Sequence, residues 1–206
     1  MSNRGLEGKT ALITGASRGL GKAMALALAE AGARLILVAR DLELLTQTAD
    51  AVRTLGSQAS VFQTDVTDET QIQDMQREVA GEFGRIQILI NNAGMNIRKP
   101  ATEFTLHEWR QVIDTNMTSA FLICRSFVPL IKGQGFGRIL NLTSIMSHIA
   151  LPGRTAYCAS KAGLLGFTRA HHAICPTLAH YEKDFPHRLR TSSAFKDLHL
   201  NRSSPK

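Results

Sequence analysis

The stretch that decides the fold is Thr14-Gly-Ala-Ser-Arg-Gly-Leu-Gly21, a glycine-rich turn between two regular segments. Residues 9–14 before it form a short apolar run, which is typical of a buried strand. Residues 20–31 after it carry alanine, leucine and methionine at helical spacing, and Gly32 follows as a C-cap. This order predicts a loop that binds phosphate, because glycines let backbone N–H groups approach and the helix N-terminus adds positive charge. A tight turn without a ligand is the alternative.

The rest of the chain alternates between short apolar runs and amphipathic segments. Further strands are predicted over residues 34–39, 60–62, 86–90 and 137–142. Further helices are predicted over about residues 41–55, 68–83 and 106–131, with a last one from near residue 155. Strands that alternate with helices join through right-handed crossovers into a parallel sheet. The sequence therefore predicts one α/β domain with a Rossmann-like, doubly wound sheet and helices on both faces.

The composition argues against several classes of function. Of the 206 residues 44% are hydrophobic, but no apolar run approaches the roughly 20 residues of a membrane helix, so no membrane partner is expected. The N-terminus lacks the pattern of a signal peptide, which predicts a cytoplasmic location. The cysteines, Cys124, Cys158 and Cys175, are far apart and predict neither a disulfide framework nor a metal site. The net charge of +7 is scattered, so no nucleic-acid partner is expected.

The end of the second predicted strand indicates which nucleotide fits. An acidic residue at this place binds the ribose 2′-hydroxyl of NAD, but this chain has Ala39-Arg40 there. Arg40 and Arg18 offer two guanidinium groups for a 2′-phosphate, which favours NADP(H). Two alternatives stay open: both arginines are plain surface residues, or Asp41 binds the ribose and NAD is the cofactor. Asp65-Val66, after the third strand, is predicted to contact adenine, with Asp65 as a cap of its own loop as the alternative.

A candidate acid/base pair lies near the start of the last predicted helix. Tyr157 and Lys161 stand four residues apart, which places them on one face, although such a pair alone is usually a plain surface pair. A tyrosine of reference pKa about 10 acts near neutral pH only if a nearby cation stabilises its phenolate. Ser144 follows the fifth strand, at the sheet edge where such folds bind ligands. Asn116 lies inside a predicted helix, where a kink or a buried polar bond would explain it.

Together these motifs resemble the classical short-chain dehydrogenase/reductase family. The similarity covers residues 5–170 and rests, in order and spacing, on Thr14-Gly-x-x-x-Gly19-x-Gly21, Asn91-Asn92-Ala93-Gly94, Asn116, Ser144 and Tyr157-x-x-x-Lys161. The resemblance implies that Tyr157 is the catalytic acid/base and that Ser144 orients the substrate oxygen. It also implies that Lys161 holds the nicotinamide ribose and lowers the tyrosine pKa, and that Asn116 retains a water in a proton relay. Residues 91–94 would steady the central sheet and line the cofactor site.

The resemblance implies an NADP(H)-dependent oxidoreductase of the EC 1.1.1.- type that interconverts a secondary alcohol and a ketone of a small molecule. The residues expected to bind the cofactor are Gly15, Ser17, Arg18, Gly19, Leu20, Gly21, Arg40, Asp65, Val66, Asn92, Ala93, Gly94, Tyr157 and Lys161. The residues expected to bind the substrate are Ser144, Arg98 and Tyr157. Residues 91–100 are similar to a segment of members acting on gluconate-type sugar acids, so Arg98 or Lys99 is offered for a carboxylate. The chain also resembles reductases of 3-oxoacyl thioesters, and the fold alone does not decide between these two substrate classes.

The resemblance ends near residue 170, in the middle of the last predicted helix. Residues 1–170 are therefore predicted to form an incomplete dinucleotide-binding domain, and residues 171–206 an atypical tail, irregular or disordered, without the sixth and seventh strands. Five of the seven histidines lie in this tail, but their spacing fits no common zinc motif, so no metal is expected. A frameshifted or alternatively spliced end is the hypothesis for this change in composition.

The expected loss of these strands has two consequences. The fifth strand would become an exposed sheet edge, and part of the nicotinamide and substrate pocket would be missing. A homo-oligomer is the expectation for the family, through the helices around residues 106–131 and 155–170, and the missing strands argue against it here. A catalytically impaired nucleotide-binding remnant is thus the alternative to an active oxidoreductase.

Overall fold

The structure is a computed structural model, which describes residues 5–174 and 179–182, with side chains for residues 5–170. The strands in this part of the chain are β1 (Thr10–Thr14), β2 (Arg34–Ala39), β3 (Ala59–Gln63), β4 (Ile88–Asn91), β5 (Arg138–Asn141) and β6 (Ala179–Glu182). They form one parallel sheet in the order β3-β2-β1-β4-β5-β6. The predicted Rossmann-like, doubly wound sheet is confirmed. Because the strand order reverses between β1 and β4, a ligand crevice is expected at their carboxyl ends.

The helices run between the strands within a residue or two of the predicted bounds. In the described residues they are α1 (Gly19–Glu30), α2 (Leu42–Thr54), α3 (Glu69–Phe83), α4 (Leu106–Ile113), α5 (Ser119–Ile131) and α6 (Thr155–Ile174). The carboxylate of Asp41 accepts a hydrogen bond from the N–H of Leu44, which fixes the start of α2. Asp68 caps α3 in the same way. None of these helices is long and apolar enough to cross a membrane.

Each face of the sheet carries its own hydrophobic core, because successive side chains of a strand point to opposite sides. Ile13 of β1 belongs to a buried core with Leu28 of α1 and Leu45 of α2. The preceding residue, Leu12, belongs to the opposite core with Phe127 of α5. Burying one such side chain contributes roughly 1.5–3 kcal/mol, so both layers of helices are held to the sheet mainly by apolar contact.

The helix predicted over residues 106–131 is confirmed in its extent, but it is not α-helical throughout. Between α4 and α5, residues Asp114–Thr118 form a π-helical segment. Asn116 lies in this segment and is buried, with 1% of its surface exposed. A hydrophobic pattern with helical spacing does not reveal a single widened turn, because the apolar face continues on both sides of it.

The sixth strand corrects the expectation for the tail. β6 pairs in parallel with β5, from Arg138 with Ala179 to Asn141 with Glu182. β5 therefore has a neighbour on each side, and the predictions that the sixth strand is missing and that β5 is an exposed edge were wrong. β6 has four residues and no apolar alternation, yet backbone hydrogen bonds suffice to hold a parallel pair. The other predictions for the tail, including the missing seventh strand, lie outside the described residues.

Candidate active site

A cleft of about 810 Å³ lies at the carboxyl ends of the parallel strands. The residues predicted for the site that line this cleft are Gly15, Ser17, Arg18, Leu20, Arg40, Asp65, Val66, Asn92, Ala93, Gly94, Arg98, Ser144, Tyr157 and Lys161. Three predicted residues, Gly19, Gly21 and Asn116, are not among its lining residues. The fold thus brings residues from both halves of the chain to one opening at the place expected for a doubly wound sheet.

The glycine turn after β1 is packed too closely for side chains. A Cβ atom on Gly21 would lie 2.1 Å from the carbonyl oxygen of Gly15, and one on Gly15 would lie 2.9 Å from the Cα of Ala93. Gly15 also has a φ of 65°, in the left-handed region that favours glycine. α1 begins directly after the turn, with no acidic residue in its first turn and no side chain capping its N-terminus. Its free backbone N–H groups can bind a phosphate.

The turn is fixed to β4 through Thr14 and Asn92. The Thr14 hydroxyl oxygen accepts hydrogen bonds from the backbone N–H of Asn92 at 3.0 Å and of Ala93 at 3.1 Å. The Asn92 amide donates in return to the carbonyl oxygens of Thr14 and Gly15, at 3.0 and 3.1 Å. The loop after β4 therefore holds the shape of the glycine turn, independently of any ligand.

A buried amide pair joins the strands beneath the cleft. Asn91 of β4 donates to the side-chain oxygen of Asn141 in β5 at 2.8 Å. Asn141 donates in turn to the hydroxyl of Thr168 in α6 at 2.9 Å. These bonds connect two central strands and α6, which places Asn91 in the sheet and leaves Asn92, Ala93 and Gly94 facing the cleft.

Charged side chains gather where β2 and β3 end. The Arg40 side chain is 72% exposed, and its guanidinium lies 3.7 Å from the Asp65 carboxylate. Asp65 also accepts hydrogen bonds from the N–H and hydroxyl of Thr67 at 2.9 and 2.8 Å, so it caps its own loop as well as lining the cleft. One carboxylate oxygen of Asp41 is used by the cap of α2. Arg18 lines the same cleft.

Tyr157 and Lys161 lie close together on α6, as their spacing predicts. The Lys161 Nζ atom lies 5.8 Å from the centre of the Tyr157 ring and donates a hydrogen bond of 2.5 Å to the carbonyl oxygen of Leu142. Lys161 is 5% exposed, and this burial lowers its pKa from 10.5 to about 8. At pH 7 the ammonium is therefore still mostly charged, and it lies beside the tyrosine.

Ser144 begins a short 3₁₀ turn after β5. Its hydroxyl oxygen accepts a hydrogen bond from the N–H of Met146 at 3.2 Å, and its own N–H donates to the Ser147 hydroxyl oxygen at 3.3 Å. Ser147 donates to the carbonyl oxygen of Lys161 at 3.1 Å, which ties this turn to α6. Because Ser144 uses its oxygen as an acceptor, its hydroxyl proton is left to donate into the cleft.

Asn116 lies behind the cleft wall and uses both ends of its amide. Its oxygen accepts from the N–H of Met95 at 2.7 Å, and its nitrogen donates to the carbonyl of Met95 and the hydroxyl of Ser160, each at 2.9 Å. Ser160 donates to the carbonyl of Tyr157 at 2.8 Å. Of the two explanations offered above for Asn116, a kink or a buried polar bond, the polar bonds are confirmed, and the residue lies in the π-helical segment.

Of the two basic residues offered for a substrate carboxylate, Arg98 lines the cleft and Lys99 does not. The Lys99 ammonium forms an ion pair with Glu108, 2.6 Å from its Oε2 atom. The hydrogen bond from Lys99, together with those from Thr105, lowers the pKa of Glu108 to about 2. Lys99 therefore faces a permanent negative charge on α4, which the sequence did not reveal because the pair depends on how the loop after β4 folds against α4.

Several lining residues were not predicted: Met95, Asn96, Thr115, Thr143, Met146, Leu151 and Arg154. The signal for Arg154 was present in the sequence, because this basic residue directly precedes the predicted helix that carries Tyr157. Within the described residues, no group of three or more histidine, cysteine, aspartate or glutamate side chains could hold a metal ion.

Comparison with known proteins identifies relatives over most of the chain. The model of a family described as short chain dehydrogenase matches residues 9–175. D-beta-hydroxybutyrate dehydrogenase of Rhizobium meliloti (strain 1021) is 35% identical over 211 residues, which cover 94% of this chain and 81% of that protein. A 3-oxoacyl-(acyl-carrier-protein) reductase of Synechocystis sp. is 36% identical over 168 residues, which cover 80% of this chain and 67% of that protein.

Solved structures show the same architecture. A metagenomic short-chain oxidoreductase in complex with NADP superposes with a TM-score of 0.83 at 30% identity, covering 86% of this chain and 81% of that one. A protein of Agrobacterium tumefaciens with the provisional name gluconate dehydrogenase has a TM-score of 0.80 at 39% identity, covering 84% of this chain and 69% of that one.

Proposed function

The chain belongs to the short-chain dehydrogenase family of NAD(P)-dependent oxidoreductases, and from this premise we propose that it interconverts a secondary alcohol and a ketone with NADP(H). The observation that carries the proposal is that Tyr157, Lys161 and Ser144 line one cleft together with the glycine turn. An acid/base residue, a buried cation beside it and a free hydroxyl are the groups that a carbonyl reduction requires.

The residues around the glycine turn fit a dinucleotide. The close approach of Gly15 and Gly21 leaves no side chain between the turn and a pyrophosphate, and the uncapped N-terminus of α1 offers N–H groups to it. Asn92, Ala93 and Gly94 would line the nicotinamide half, and Asp65 and Val66 the adenine half. When bound, NADP(H) supplies a hydride to the carbonyl carbon or accepts one from the alcohol.

The proposed preference for NADP(H) over NAD(H) rests on the arginines. Arg40 has a long and solvent-exposed contact with Asp65, and such surface pairs are weak, so its guanidinium is available to a 2′-phosphate. Arg18 lines the cleft as a second cation. The alternative, in which Asp41 binds the ribose hydroxyl of NAD, is less favourable, because one oxygen of its carboxylate already caps α2.

In the reductive direction, the hydroxyl of Tyr157 donates its proton to the carbonyl oxygen while the carbon receives the hydride. The charged Lys161 stabilises the phenolate that remains, since its buried ammonium lies beside the ring. Ser144 donates a hydrogen bond to the same oxygen and holds it in place. Oxidation of an alcohol uses the same groups in the opposite order, with the phenolate as the base.

Asn116 supports this site from behind the wall of the cleft. The resemblance assigns it a relay water, and its contacts give it a further task. By bonding Met95 and Ser160, it holds the loop after β4 against the turn of α6 that carries Tyr157. We therefore propose that Asn116 is a positioning residue of the active site.

The proposed substrate is a small molecule that carries a ketone or a secondary alcohol. A sugar acid and a 3-oxoacyl compound are the two candidates, because the names of similar proteins refer to these substrates. Arg98, which lines the cleft, would suit the carboxylate of a sugar acid. We also propose that the protein is located in the cytoplasm.

Oxidation of NADPH over a panel of ketones tests the proposal. We expect turnover with the wild-type chain, and we expect Tyr157→Phe to lower it by about 10²–10⁴-fold while NADPH binding is retained. An unchanged rate in Tyr157→Phe would refute the mechanism. NADPH binding without turnover of any ketone or alcohol would favour the alternative, a nucleotide-binding remnant.

A further inference from the structure

The charges that line the cleft are unevenly distributed. Its carboxylates, Asp41 and Asp65, both lie where β2 and β3 end. From β4 to α6 the charged lining residues are Arg98, Arg154 and Lys161, and all three are positive. Among residues 5–170, this part of the cleft therefore presents positive charge to a ligand bound beside Tyr157, with no lining carboxylate from the same residues.

A backbone contact joins the two loops that carry Arg98 and Arg154. The N–H of Lys99, one residue after Arg98, donates a hydrogen bond of 3.1 Å to the carbonyl of Gly153, one residue before Arg154. Gly153 has a φ of 73°, so its left-handed turn directs the chain from this contact into α6. Two loops that are far apart in the sequence thus meet, and each contributes one arginine to the lining of the cleft.

Neither arginine forms an ion pair with an acidic side chain in residues 5–170, whereas the neighbouring Lys99 pairs with Glu108. Arg154 directly precedes α6, and the first turn of α6 holds no acidic residue. A cation at a helix N-terminus is disfavoured by the helix dipole, so this placement costs stability unless an anion binds there. Both arginines therefore line the cleft without an acidic partner among residues 5–170.

Arg154 is also tied to the helix that carries the proposed acid/base residue. It directly precedes α6, and its carbonyl oxygen accepts a hydrogen bond of 2.8 Å from the N–H of Cys158 in the first turn of that helix. Arg154, Tyr157 and Lys161 all line the cleft. An anionic group at Arg154 would therefore lie near the turn of α6 that carries Tyr157.

We propose that Arg98 and Arg154 form an anion subsite, and that the substrate is a short oxo acid or hydroxy acid, or the corresponding phosphate. The charged group would lie a few carbons from the reacting carbon. Ile145, Met146 and Leu151 line the same cleft and offer apolar contact to the carbon chain between them. The inference rests on the proposed function for the identity of the reacting carbon.

Matched pairs of charged and neutral ketones test the subsite. At saturating NADPH, kcat/KM is measured for 4-oxopentanoate and 5-oxohexanoate and for their methyl esters, with dihydroxyacetone phosphate as a second anion. We expect the acids to exceed the esters at least about tenfold, as a charge-assisted hydrogen bond allows. Arg154→Gln should remove most of this preference by lowering the values for the acids alone, and Arg98→Gln should act in the same direction. Arg154→Lys should retain part of it.

Arg77→Gln is the matched control, because Arg77 lies in α3, is exposed and does not line the cleft. It should change neither acids nor esters. Equal values for acids and esters, or an equal loss of both in Arg154→Gln, would overturn the subsite and leave the proposed function standing. A preference for dihydroxyacetone phosphate over the oxo acids would identify the anion as a phosphate.

The subsite can also be tested if no ketone is turned over, in which case the proposed function itself fails. Calorimetric titration of 4-oxopentanoate into the protein with NADPH then measures whether the acid binds. Binding of the acid that Arg154→Gln weakens at least tenfold, with no binding of the methyl ester, supports the subsite. The absence of binding by the acid overturns it.

Discussion

The ammonium of Lys161 donates a hydrogen bond of 2.5 Å to the main-chain carbonyl of Leu142, just after the end of β5. This bond ties α6 to the loop that leads to Ser144, so one buried side chain joins the two segments that carry the proposed chemistry. The burial that makes the bond possible also lowers the pKa of Lys161 to about 8.

The first prediction concerns stability against pH. Between about pH 8 and pH 10.5 the unfolded chain keeps Lys161 protonated while the folded chain releases the proton, so the unfolded state binds more protons. The free energy of unfolding should therefore rise through this window, by up to about 1.4 kcal/mol per pH unit from this group. Urea unfolding at several pH values, compared with Lys161→Met, isolates the effect. Parallel pH profiles for the two proteins would contradict it.

The second prediction concerns the glycine turn. Gly21→Ala should destabilise the protein by about 1–3 kcal/mol and weaken NADPH binding, because the new Cβ would meet the carbonyl oxygen of Gly15. Gly81→Ala in α3 is the control: no atom lies within 4 Å of its new Cβ, so it should be neutral or stabilise by about 0.5–1 kcal/mol. Thermal unfolding and NADPH titration measure both. Equal behaviour of the two variants would show that the turn is not packed as described.

A third prediction separates the two cofactors. Arg40→Gln should weaken the binding of NADPH about tenfold or more and leave NADH binding unchanged, because only NADPH carries the 2′-phosphate. Dissociation constants for both cofactors are the measurement, and Arg110→Gln, outside the cleft on α4, is the control. If Arg40→Gln weakens both cofactors equally, Arg40 does not read the 2′-phosphate.

The fourth prediction concerns Asn116. Asn116→Ala leaves the half-buried N–H and carbonyl of Met95 without their side-chain partner and should cost about 1–3 kcal/mol of unfolding free energy. Because Asn116 and Ser160 share a hydrogen bond, Ser160→Ala in the Asn116→Ala background should cost less than in the wild type, by roughly 0.5–3 kcal/mol. Strictly additive losses would mean that the two side chains act separately.

The sequence predicted features that follow from local rules. The glycine turn was recognisable because close packing at Gly15 and Gly21 excludes side chains, and the start of α3 because Asp68 is a capping residue. The pairing of Tyr157 with Lys161 followed from the helical repeat. Each of these requires only neighbouring residues.

Features that depend on how loops, helices and strands pack against one another were not predicted. Nothing local distinguishes Lys99, which is neutralised by Glu108, from Arg98, which is not. The contact of Lys99 with Gly153 that brings Arg154 to the cleft spans more than fifty residues. β6 was missed because its pairing relies on backbone bonds instead of an apolar pattern.

The π-helical segment Asp114–Thr118 sets the rotation of α5 about its own axis. Each helical residue turns the chain by about 100°, so a widened turn changes the direction in which every later side chain points. The buried residues of α5 are Ser119, Ala120, Leu122, Ile123, Cys124, Phe127, Val128 and Ile131. Loss of one residue from the segment would swing this whole face away from the sheet. Between α4 and α5, substitutions of exposed residues are thus tolerated, but insertions and deletions are not.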